Sequence, residues 1–489
     1  MEEEAGGQQA PGRRLAGRVL LYSSLILNAV LLARHHLFLL GACGDDGNGG
    51  SCCGLSWALQ AAREAEAVAA TDCSGHGRVF LDGVSGEDGR PGCECNTCFS
   101  GPDCSLRTPN CTADADSGDP LFLEPYWRRH AAAGAVVFSG WHRMSYFTTN
   151  AFFQSVELEN QIRQLHRAVG NAVVDGKHLV FGTGSFQLIN ALVHALSPDA
   201  SPPARVVATA PYYPAYKLQT VMFDGREYEW GGTTLDWANA SRNSSVDGGG
   251  FIEFVTSPNN PDTQLRKAAL GESMAVFDHA YYWPHFTPIP APADEDIMMF
   301  TMTKLSGHAG SRFGWALIRD EKVAKRTYEY VQSNIMGASR GWAADAADGG
   351  YQGRPCSPTT CSHGEDDIFA FGHDVMRSRW RRLNAVVSRS RRRISLHKVP
   401  PQYCTYFKRI REPSPAYAWV KCEREEDEDC HEALLEAKII SREGGRYGAS
   451  SQYARMSLLK TDDDFNVLLE RITDLVNAEK YQAPESSSM

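Results

Sequence analysis

The middle of the chain lacks cysteine, because none of its 14 cysteines falls between residues 112 and 355. Disulfides within that segment are therefore excluded. The chain also lacks an excess of positive charge: its net charge is −10, which argues against a general nucleic-acid-binding protein. The local basic run SRSRRR at 388–393 is typical of a solvated helix face. With 489 residues the chain is too long for one simple core, which predicts two or more domains.

Residues 73–105 have few apolar side chains and many glycine, proline and aspartate residues. So little apolar material cannot form a hydrophobic core, and crosslinks must therefore stabilise the segment. Disulfides are favoured over a zinc site that includes His76, because the N-terminus indicates the secretory pathway. Six cysteines allow fifteen pairings, and the sequence does not choose among them. These are Cys73, Cys93, Cys95, Cys98, Cys104 and Cys111.

The N-terminus lacks a continuous apolar run long enough for an ordinary membrane helix. The run at 19–33 is short, and RHH separates it from a second run at 37–42. No small-x-small cleavage site follows at once, so an uncleaved signal anchor is favoured over a cleaved signal peptide. Three arginines before the run predict a cytoplasmic N-terminus and a lumenal body. We expect a protein of the endoplasmic reticulum membrane, or a secreted or vacuolar one if the segment is cleaved.

From about residue 120, short β-branched runs alternate with helical stretches. The alternation predicts an α/β fold with a largely parallel sheet covered by helices. Ligands of such sheets bind beyond the carboxyl ends of the strands. After about residue 395 the pattern predicts a smaller α+β domain that ends in a helix near 462–479. The predicted strands of the large domain are 178–181, 205–209, 251–256, 274–278, 297–302 and 314–318.

Lys304 comes directly after the apolar strand at 297–302 and one threonine. A lysine is costly to bury and rarely lies in a protein interior without a partner. Either Lys304 extends to water, or the interior needs a nucleophilic amine. The residues at the other strand ends favour the second interpretation.

Two turns near strand ends suit a flat, phosphorylated ligand. Gly182, Thr183, Gly184 and Ser185 form a glycine turn that opens a helix, and the unpaired N–H groups of a helix start suit a phosphate. Such turns are common, so this signal is weak alone. Tyr213 follows another strand, where its ring either packs in the core or stacks on a flat ligand.

Further strand ends carry polar side chains. Asn259 and Asn260 lie between prolines, which fix the backbone and direct an amide away from the sheet. Asp278 ends the next strand, three residues before Tyr281. A carboxylate there either caps a helix or accepts a ring N–H. Arg312 lies eight residues beyond the lysine.

Together these residues predict a site for pyridoxal 5′-phosphate. The lysine would bind the cofactor covalently, and Asp278 would keep the pyridine nitrogen protonated. Asn260 and Tyr281 would hold the phenolate oxygen, while Arg312 and the glycine turn would bind the phosphate. The predicted cofactor-binding residues at the strand ends are Thr183, Gly184, Ser185, Tyr213, Asn260, Asp278, Tyr281, Thr301, Lys304 and Arg312.

Their order and spacing resemble fold-type I pyridoxal-phosphate enzymes (aspartate aminotransferase-like), specifically the alliinase and tryptophan aminotransferase-related family of plants. The cysteine block resembles the EGF-like N-terminal domain of that family. The resemblance covers roughly 72–335 and 365–479. The strings that carry it are SGWHRMSYF (139–147), SPNNP (257–261), YYWPHFTPI (281–289), ADEDI (293–297) and SGHAGSRFGWALI (306–318).

The resemblance implies roles for further residues. Lys304 would be the catalytic base, and Tyr146 would reach the cofactor of a neighbouring subunit, which implies a homodimer. Arg455 would bind the substrate carboxylate, which suits the paired donors of a guanidinium. Cys422 and Cys430 would form a disulfide of the small domain. No metal is implied.

The predicted domain order follows from these assignments. Between 341 and 364 the family usually continues in helix, whereas this stretch is rich in glycine and proline and predicts a loop. The predicted units are a signal anchor or peptide at 1–42, a linker at 43–71, an EGF-like domain at 72–112, the N-terminal part of the small domain with a dimer arm at 113–170, the large cofactor-binding domain at 171–395, the C-terminal small domain at 396–480, and a disordered tail at 481–489.

Two reactions share the same chemistry up to the removal of the α-proton by the lysine. We favour transamination of L-tryptophan with a 2-oxo acid such as pyruvate, which yields indole-3-pyruvate for auxin synthesis, because the resemblance is to a family broadly distributed as aminotransferases. The alternative is an alliinase-type lyase that expels the sulfoxide of an S-alkyl-L-cysteine sulfoxide. A third possibility, a lumenal scaffold with an inactive enzyme domain, is disfavoured by the intact set of polar strand ends.

Overall fold

The computed structural model describes residues 57–79, 92–135, 144–147, 153–197, 201–240, 250–271, 275–339, 367–390 and 392–478. The predicted signal segment at 1–42, the atypical stretch at 341–364 and the tail at 481–489 lie outside these ranges. No helix within them combines the length and apolar character needed to cross a membrane. One compact unit, Ala61–Met489, contains every element discussed below apart from the first turn of the first helix.

The described residues form helices and strands that we number along the chain. The helices are α1 (Trp57–Ala69), α2 (Glu124–Arg129), α3 (Val156–Val169), α4 (Gly184–Leu196), α5 (Ala215–Phe223), α6 (Thr234–Ala240), α7 (Met302–Ser306), α8 (Glu321–Ile335), α9 (Ile368–Val387), α10 (Cys430–Glu436) and α11 (Asp462–Ala478). The strands are β1 (Gly77–Val79), β2 (Cys93–Cys95), β3 (Phe99–Ser100), β4 (Leu106–Arg107), β5 (Ala113–Asp114), β6 (His178–Gly182), β7 (Ala204–Ala208), β8 (Tyr228–Thr233), β9 (Phe251–Thr256), β10 (Ala275–Asp278), β11 (Ile297–Thr301), β12 (Gly314–Ile318), β13 (Ile394–Leu396), β14 (Gln402–Cys404), β15 (Arg409–Arg411), β16 (Tyr417–Cys422), β17 (Ile439–Ile440), β18 (Arg442–Glu443) and β19 (Tyr453–Ser457).

The large domain is built on a seven-stranded sheet in the order β6-β12-β11-β10-β9-β7-β8. Only β12 runs against its neighbours; the remaining strands are parallel. Strands β10, β11 and β12 are buried along their whole length, because helices cover both faces of the sheet and apolar runs are then favoured. The predicted α/β fold with a largely parallel sheet is confirmed, and the six predicted strands match the observed ones within one residue at each end.

The edge strand β8 was not predicted from the sequence. It contains Gly231 and Gly232, and glycine lowers the propensity for strand structure. The register between β7 and β8 shifts between Val206 and Val207, where Gly232 has a φ of +89°. Tertiary pairing with β7 therefore creates a strand that the local sequence does not favour.

The small domain is an antiparallel sheet in the order β13-β16-β19-β18, packed with α9 and α11. The chain reaches this domain first near residue 113, where β5 pairs in parallel with β17. The guanidinium of Arg471 on α11 donates two hydrogen bonds to the carbonyl of Cys111, at 3.0 and 2.8 Å. The segment that follows the cysteine-rich module is therefore fixed to the small domain before it enters the site described below.

The cysteine-rich module has two small antiparallel pairs, β1 with β2 and β3 with β4. All six of its cysteines form disulfides, so none is a zinc ligand. His76 instead stacks on Phe99, with ring centroids 3.8 Å apart, and contacts the carboxylate of Asp463 through Nδ1 at 3.1 Å. The small domain has one further disulfide. The pairs are Cys73–Cys93, Cys95–Cys104, Cys98–Cys111 and Cys422–Cys430.

Candidate active site

The glycine turn after β6 faces the guanidinium of Arg312. Gly184 begins α4 with a φ of +72°, and a Cβ there would lie only 2.8 Å from Nη2 of Arg312. Thr183 precedes the helix without a side-chain cap, although its own N–H donates to the Gln187 amide oxygen at 2.8 Å. Arg312 has a φ of +50° and donates through Nη1 to the carbonyl of Ala309 at 3.1 Å. A helix start and a guanidinium that meet in this way form an anion-binding site.

A buried carboxylate ends β10 on the opposite wall. Asp278 accepts a hydrogen bond from the Tyr216 hydroxyl at 2.8 Å and another from the Ala280 N–H at 3.0 Å. Among the described residues no cationic side chain forms an ion pair with it. Burial therefore raises the pKa of Asp278, although these hydrogen bonds oppose the effect. An unpaired buried acid suits a ligand that brings its own N–H⁺.

Lys304 lies on the short helix α7, which begins directly after β11. The Thr301 hydroxyl caps this helix by accepting from the Thr303 N–H at 3.3 Å. The Lys304 amine donates to the carbonyl of Gly118, and the carbonyl of Lys304 is bonded to Nε2 of His285 at 2.8 Å. Burial lowers the pKa of the Lys304 amine, which favours the neutral, nucleophilic form.

Two tyrosines, Tyr281 and Tyr213, lie near the Lys304 amine. Tyr281 is buried, and its hydroxyl oxygen lies 2.5 Å from that of Tyr417. Its ring centroid lies 5.6 Å from the Lys304 nitrogen. Tyr213 follows β7, with its ring 5.6 Å from that of Tyr216. Burial raises the pKa of Tyr213 to about 12 and the pKa of Tyr281 well above its usual value. The hydroxyls of these two tyrosines therefore stay protonated at physiological pH.

Arg455 is a fully buried arginine on β19. Its Nη1 donates to the Asn260 amide oxygen at 3.3 Å, and its Nη2 donates to the carbonyl of Asp116 at 2.5 Å. Its Nε finds no hydrogen-bond partner among the described residues. Asp116 also forms a bidentate ion pair with Arg442, at 2.5 and 2.8 Å. A buried guanidinium with an unused donor suits a carboxylate ligand.

These walls enclose a cavity of about 240 Å³. It brings together nine of the predicted residues: Ser185, Tyr213, Asn260, Asp278, Tyr281, Thr301, Lys304, Arg312 and Arg455. Thr183 and Gly184 do not line the cavity; they lie in the turn directly before Ser185. Tyr146 is 71% exposed and does not line this cavity.

Sequence reasoning missed several lining residues. Gly118 and Asp119 come from the segment after the cysteine-rich module, and Tyr417 and Arg442 come from strands of the small domain. The sequence carries one weak signal for Gly118, a glycine next to an acidic residue in SGDP. For Tyr417 and Arg442 there is no local signal, because their positions depend on how the two domains pack.

Two parts of the chain match known protein families. Residues 113–476 match the family described as Allinase, and residues 56–111 match the Alliinase EGF-like domain. The chain belongs to the alliinase family. The family and the fold-type I aminotransferases are dependent on pyridoxal phosphate.

Named relatives of this alliinase-family chain fall into two groups. It is 46% identical to "Alliin lyase" of Allium cepa over 434 residues, which is 87% of this chain and 89% of that protein. It is 43% identical to "Tryptophan aminotransferase-related protein 3" of Arabidopsis thaliana over 466 residues, 94% of this chain and 98% of that protein. Both comparisons therefore span the EGF-like and the catalytic parts of the chain.

Solved structures show the same fold at low identity. An aminotransferase from Staphylococcus aureus matches with a TM-score of 0.55 at 16% identity, covering 75% of this chain and 94% of that one. A multiple substrate aminotransferase from Thermococcus profundus matches with a TM-score of 0.54 at 13% identity, covering 77% and 93%. The predicted fold-type I architecture is confirmed.

Gly184→Ala tests the anion-binding turn. The new Cβ must displace the Arg312 guanidinium, so we expect the dissociation constant for pyridoxal phosphate to rise about tenfold or more, as for one charged hydrogen bond lost. Fluorescence titration of the cofactor-free protein measures it. Gly170→Ala is the matched control, because Gly170 has a φ of +69° but no atom within 4 Å of its Cβ position. An unchanged affinity in Gly184→Ala would contradict the assignment.

Asp278→Asn tests the unpaired acid. Because burial raises the pKa of Asp278, the folded protein binds more protons than the unfolded chain just above the ordinary pKa, and stability falls as pH rises through that window. We expect cofactor-free Asp278→Asn to melt at a higher temperature than wild type at pH 7, yet to bind pyridoxal phosphate about tenfold or more weakly.

Asp294→Asn is the control for this prediction. The pKa of Asp294 is lowered by its bond with Lys177, so removing its charge has the opposite sign and should not raise the melting temperature. Calorimetry at several pH values compares the two variants. A lower melting temperature for Asp278→Asn would show that the carboxylate is already paired.

Proposed function

We propose that this protein binds pyridoxal 5′-phosphate in the cavity and transfers the amino group of L-tryptophan to a 2-oxo acid such as pyruvate. The product would be indole-3-pyruvate, a precursor for auxin synthesis. The observation that carries the proposal is the convergence of a lysine with a lowered pKa, an unpaired buried acid, an anion-binding turn and a buried arginine on one cavity.

The donor set fits the cofactor. The Arg312 guanidinium and the N–H groups at the start of α4 would hold its phosphate, and Asp278 would accept the pyridine N–H. Asn260 and Tyr281 would bind its phenolic oxygen, and Tyr213 would pack against the ring. When bound, pyridoxal phosphate supplies an electron-accepting ring that stabilises negative charge at the α-carbon of an amino acid.

The remaining work falls to side chains of this protein. The unused Nε of Arg455 offers a donor to the substrate carboxylate, which fixes the α-carbon. Burial lowers the pKa of the Lys304 amine, which favours the neutral form that accepts the α-proton at Nζ and later gives it back. In this structure Nζ donates to the carbonyl of Gly118.

Room in the cavity bears on the substrate. At about 240 Å³ it is smaller than a typical site for a drug-sized ligand, roughly 300–1,000 Å³. The space therefore limits how a cofactor and an indole side chain can bind together.

The second candidate is an alliin lyase-type reaction on an S-alkyl-L-cysteine sulfoxide. The 46% identity to the Allium cepa protein named "Alliin lyase" favours it. Every residue role given above is the same in this reaction up to removal of the α-proton. The difference is the leaving group: the lyase expels a sulfenic acid, and the products include pyruvate and ammonia.

A product assay separates the two candidates. Protein without residues 1–42 is given L-tryptophan with pyruvate, and in a separate reaction an S-alkyl-L-cysteine sulfoxide. We expect indole-3-pyruvate with an equal amount of alanine from the first mixture, and Lys304→Ala should lose at least about 10²-fold in rate because general acid–base catalysis contributes that much.

Lys325→Ala is the control, because Lys325 is an exposed lysine of α8 that pairs only loosely with Glu329, at 3.9 Å. Pyruvate and ammonia from the sulfoxide alone would replace the aminotransferase with the lyase. If protein that has bound the cofactor forms neither set of products, both substrates are excluded.

We also propose that the protein is a homodimer in which Tyr146 reaches the cofactor of the second subunit. Helix α5 supports this proposal, because it exposes Leu218, Val221, Met222 and Phe223. This apolar face adjoins the cavity: Gln219 of the same helix donates to the carbonyl of the cavity-lining Phe186 at 2.7 Å. Contiguous exposed apolar side chains are typical of protein interfaces.

Leu218→Glu tests the dimer. Placing a charge in an apolar interface should convert the protein to monomers and abolish activity, as sedimentation velocity and the product assay measure. Leu435→Glu, a like substitution at an exposed leucine of α10, should change neither. An active, dimeric Leu218→Glu would place the interface elsewhere.

A further inference from the structure

Tyr417 is a buried tyrosine at the start of β16, and the functions proposed above do not use it. Strand β16 pairs with β19, so that Tyr417 stands opposite Ser457, and Trp419 stands opposite Arg455. Its side chain is only 2% exposed and lines the cavity. Tyr417 therefore belongs to the small domain but lines a cavity whose other walls come largely from the large domain.

The hydroxyl of Tyr417 meets the cofactor side of the cavity. Its oxygen lies 2.5 Å from the Tyr281 hydroxyl, and the two rings meet edge to face at 5.5 Å. A Cβ on Gly118 would lie 2.8 Å from the Tyr417 oxygen and 3.4 Å from the Lys304 nitrogen. The glycine thus lets both polar groups approach the same point.

The ring of Tyr417 meets the substrate side. The guanidinium carbon of Arg455 lies 4.1 Å from the ring centroid, well inside the range of a cation–π contact. One side chain therefore contacts both Tyr281, on the cofactor side, and Arg455, on the carboxylate side.

The two hydroxyl oxygens are 2.5 Å apart and each hydroxyl carries one hydrogen, so one of them donates and the other accepts. When the Tyr281 hydrogen points into the cavity, Tyr417 must be the donor of the bond between them. A Tyr417 hydroxyl that donates to Tyr281 therefore leaves the single hydrogen of Tyr281 available to a group in the cavity.

We infer that Tyr417 is a positioning residue: its hydroxyl orients that of Tyr281 toward the cofactor, and its ring holds the guanidinium of Arg455 for the substrate carboxylate. The inference rests on the proposed binding of pyridoxal phosphate. The hydroxyl and the ring of Tyr417 thus have separate roles. One variant removes the hydroxyl alone, and a second removes the hydroxyl and the ring together.

Tyr417→Phe removes the hydroxyl and keeps the ring. A Tyr281 hydroxyl that donates into the cavity stabilises a deprotonated group there, so its misorientation raises the pKa of the bound, visibly absorbing cofactor. We expect the pH midpoint of that absorbance in the holoenzyme to rise by roughly half a unit or more, the equivalent of one hydrogen bond. KM for the amino acid should change by less than about threefold.

Tyr417→Leu removes both the hydroxyl and the aromatic ring. We expect the same rise in the absorbance midpoint and, in addition, an increase in KM of about 3- to 30-fold from the lost cation–π contact. Tyr282→Phe is the matched control: Tyr282 is the neighbour of Tyr281, equally buried, and its hydroxyl donates to the carbonyl of Ala291 at 2.7 Å outside the cavity. It should move neither the midpoint nor KM.

Each outcome decides something. A Tyr417→Phe midpoint equal to that of wild type and Tyr282→Phe would overturn the orienting role of the hydroxyl. A Tyr417→Leu KM equal to that of Tyr417→Phe would overturn the role of the ring. A wild-type protein that shows no cofactor absorbance would overturn the proposed function and this inference with it, whereas a coloured wild type with unchanged variants overturns the inference alone.

Discussion

The structure depends on the burial of one amine. Lys304 follows β11 into a cavity where burial lowers its pKa, and Tyr417 and Asp119 offset only part of that effect. An ammonium group on an open surface stays charged and hydrated, so the lowered pKa depends on the walls around the amine. The large domain supplies the wall that carries Asp278 and Tyr281, and the small domain supplies Tyr417 and Arg455. Neither domain alone can enclose the amine.

The walls of the cavity offer charged groups to a ligand. Asp278 forms no ion pair with another described residue, and Arg312 lies at the glycine turn, where its described bond goes to a backbone carbonyl. Arg455 is braced by the carbonyl of Asp116, whose carboxylate is occupied by Arg442. A buried carboxylate is unfavourable until a ligand supplies the opposite charge, whereas Arg312 is exposed and Arg455 lies 4.0 Å from the Asp116 carboxylate. The arrangement is therefore one that a ligand with a cationic ring, a phosphate and a carboxylate would stabilise.

The EGF-like module contributes to the site through its end. Its last cysteine, Cys111, is crosslinked to Cys98, and its carbonyl is held by Arg471 of the small domain. Two residues later β5 pairs with β17, and the chain then reaches Asp116 and Gly118. The disulfides that replace a hydrophobic core in the module thus also fix the start of the segment that contacts Arg455 and Lys304.

Local pattern in the sequence determined the strand ends, since a parallel sheet brings the carboxyl ends of its strands together whatever the connecting helices contain. Lys304, Asp278 and Asn260 could therefore be assigned from their place after apolar runs. The disulfide pairing of the EGF-like module, the glycine-rich edge strand β8 and the contact of Tyr417 could not. Gly118 and Lys304 are 186 residues apart, and Tyr281 and Tyr417 are 136 apart. Contacts over such separations depend on how whole domains pack, and the side chains near a residue in sequence carry no record of that packing.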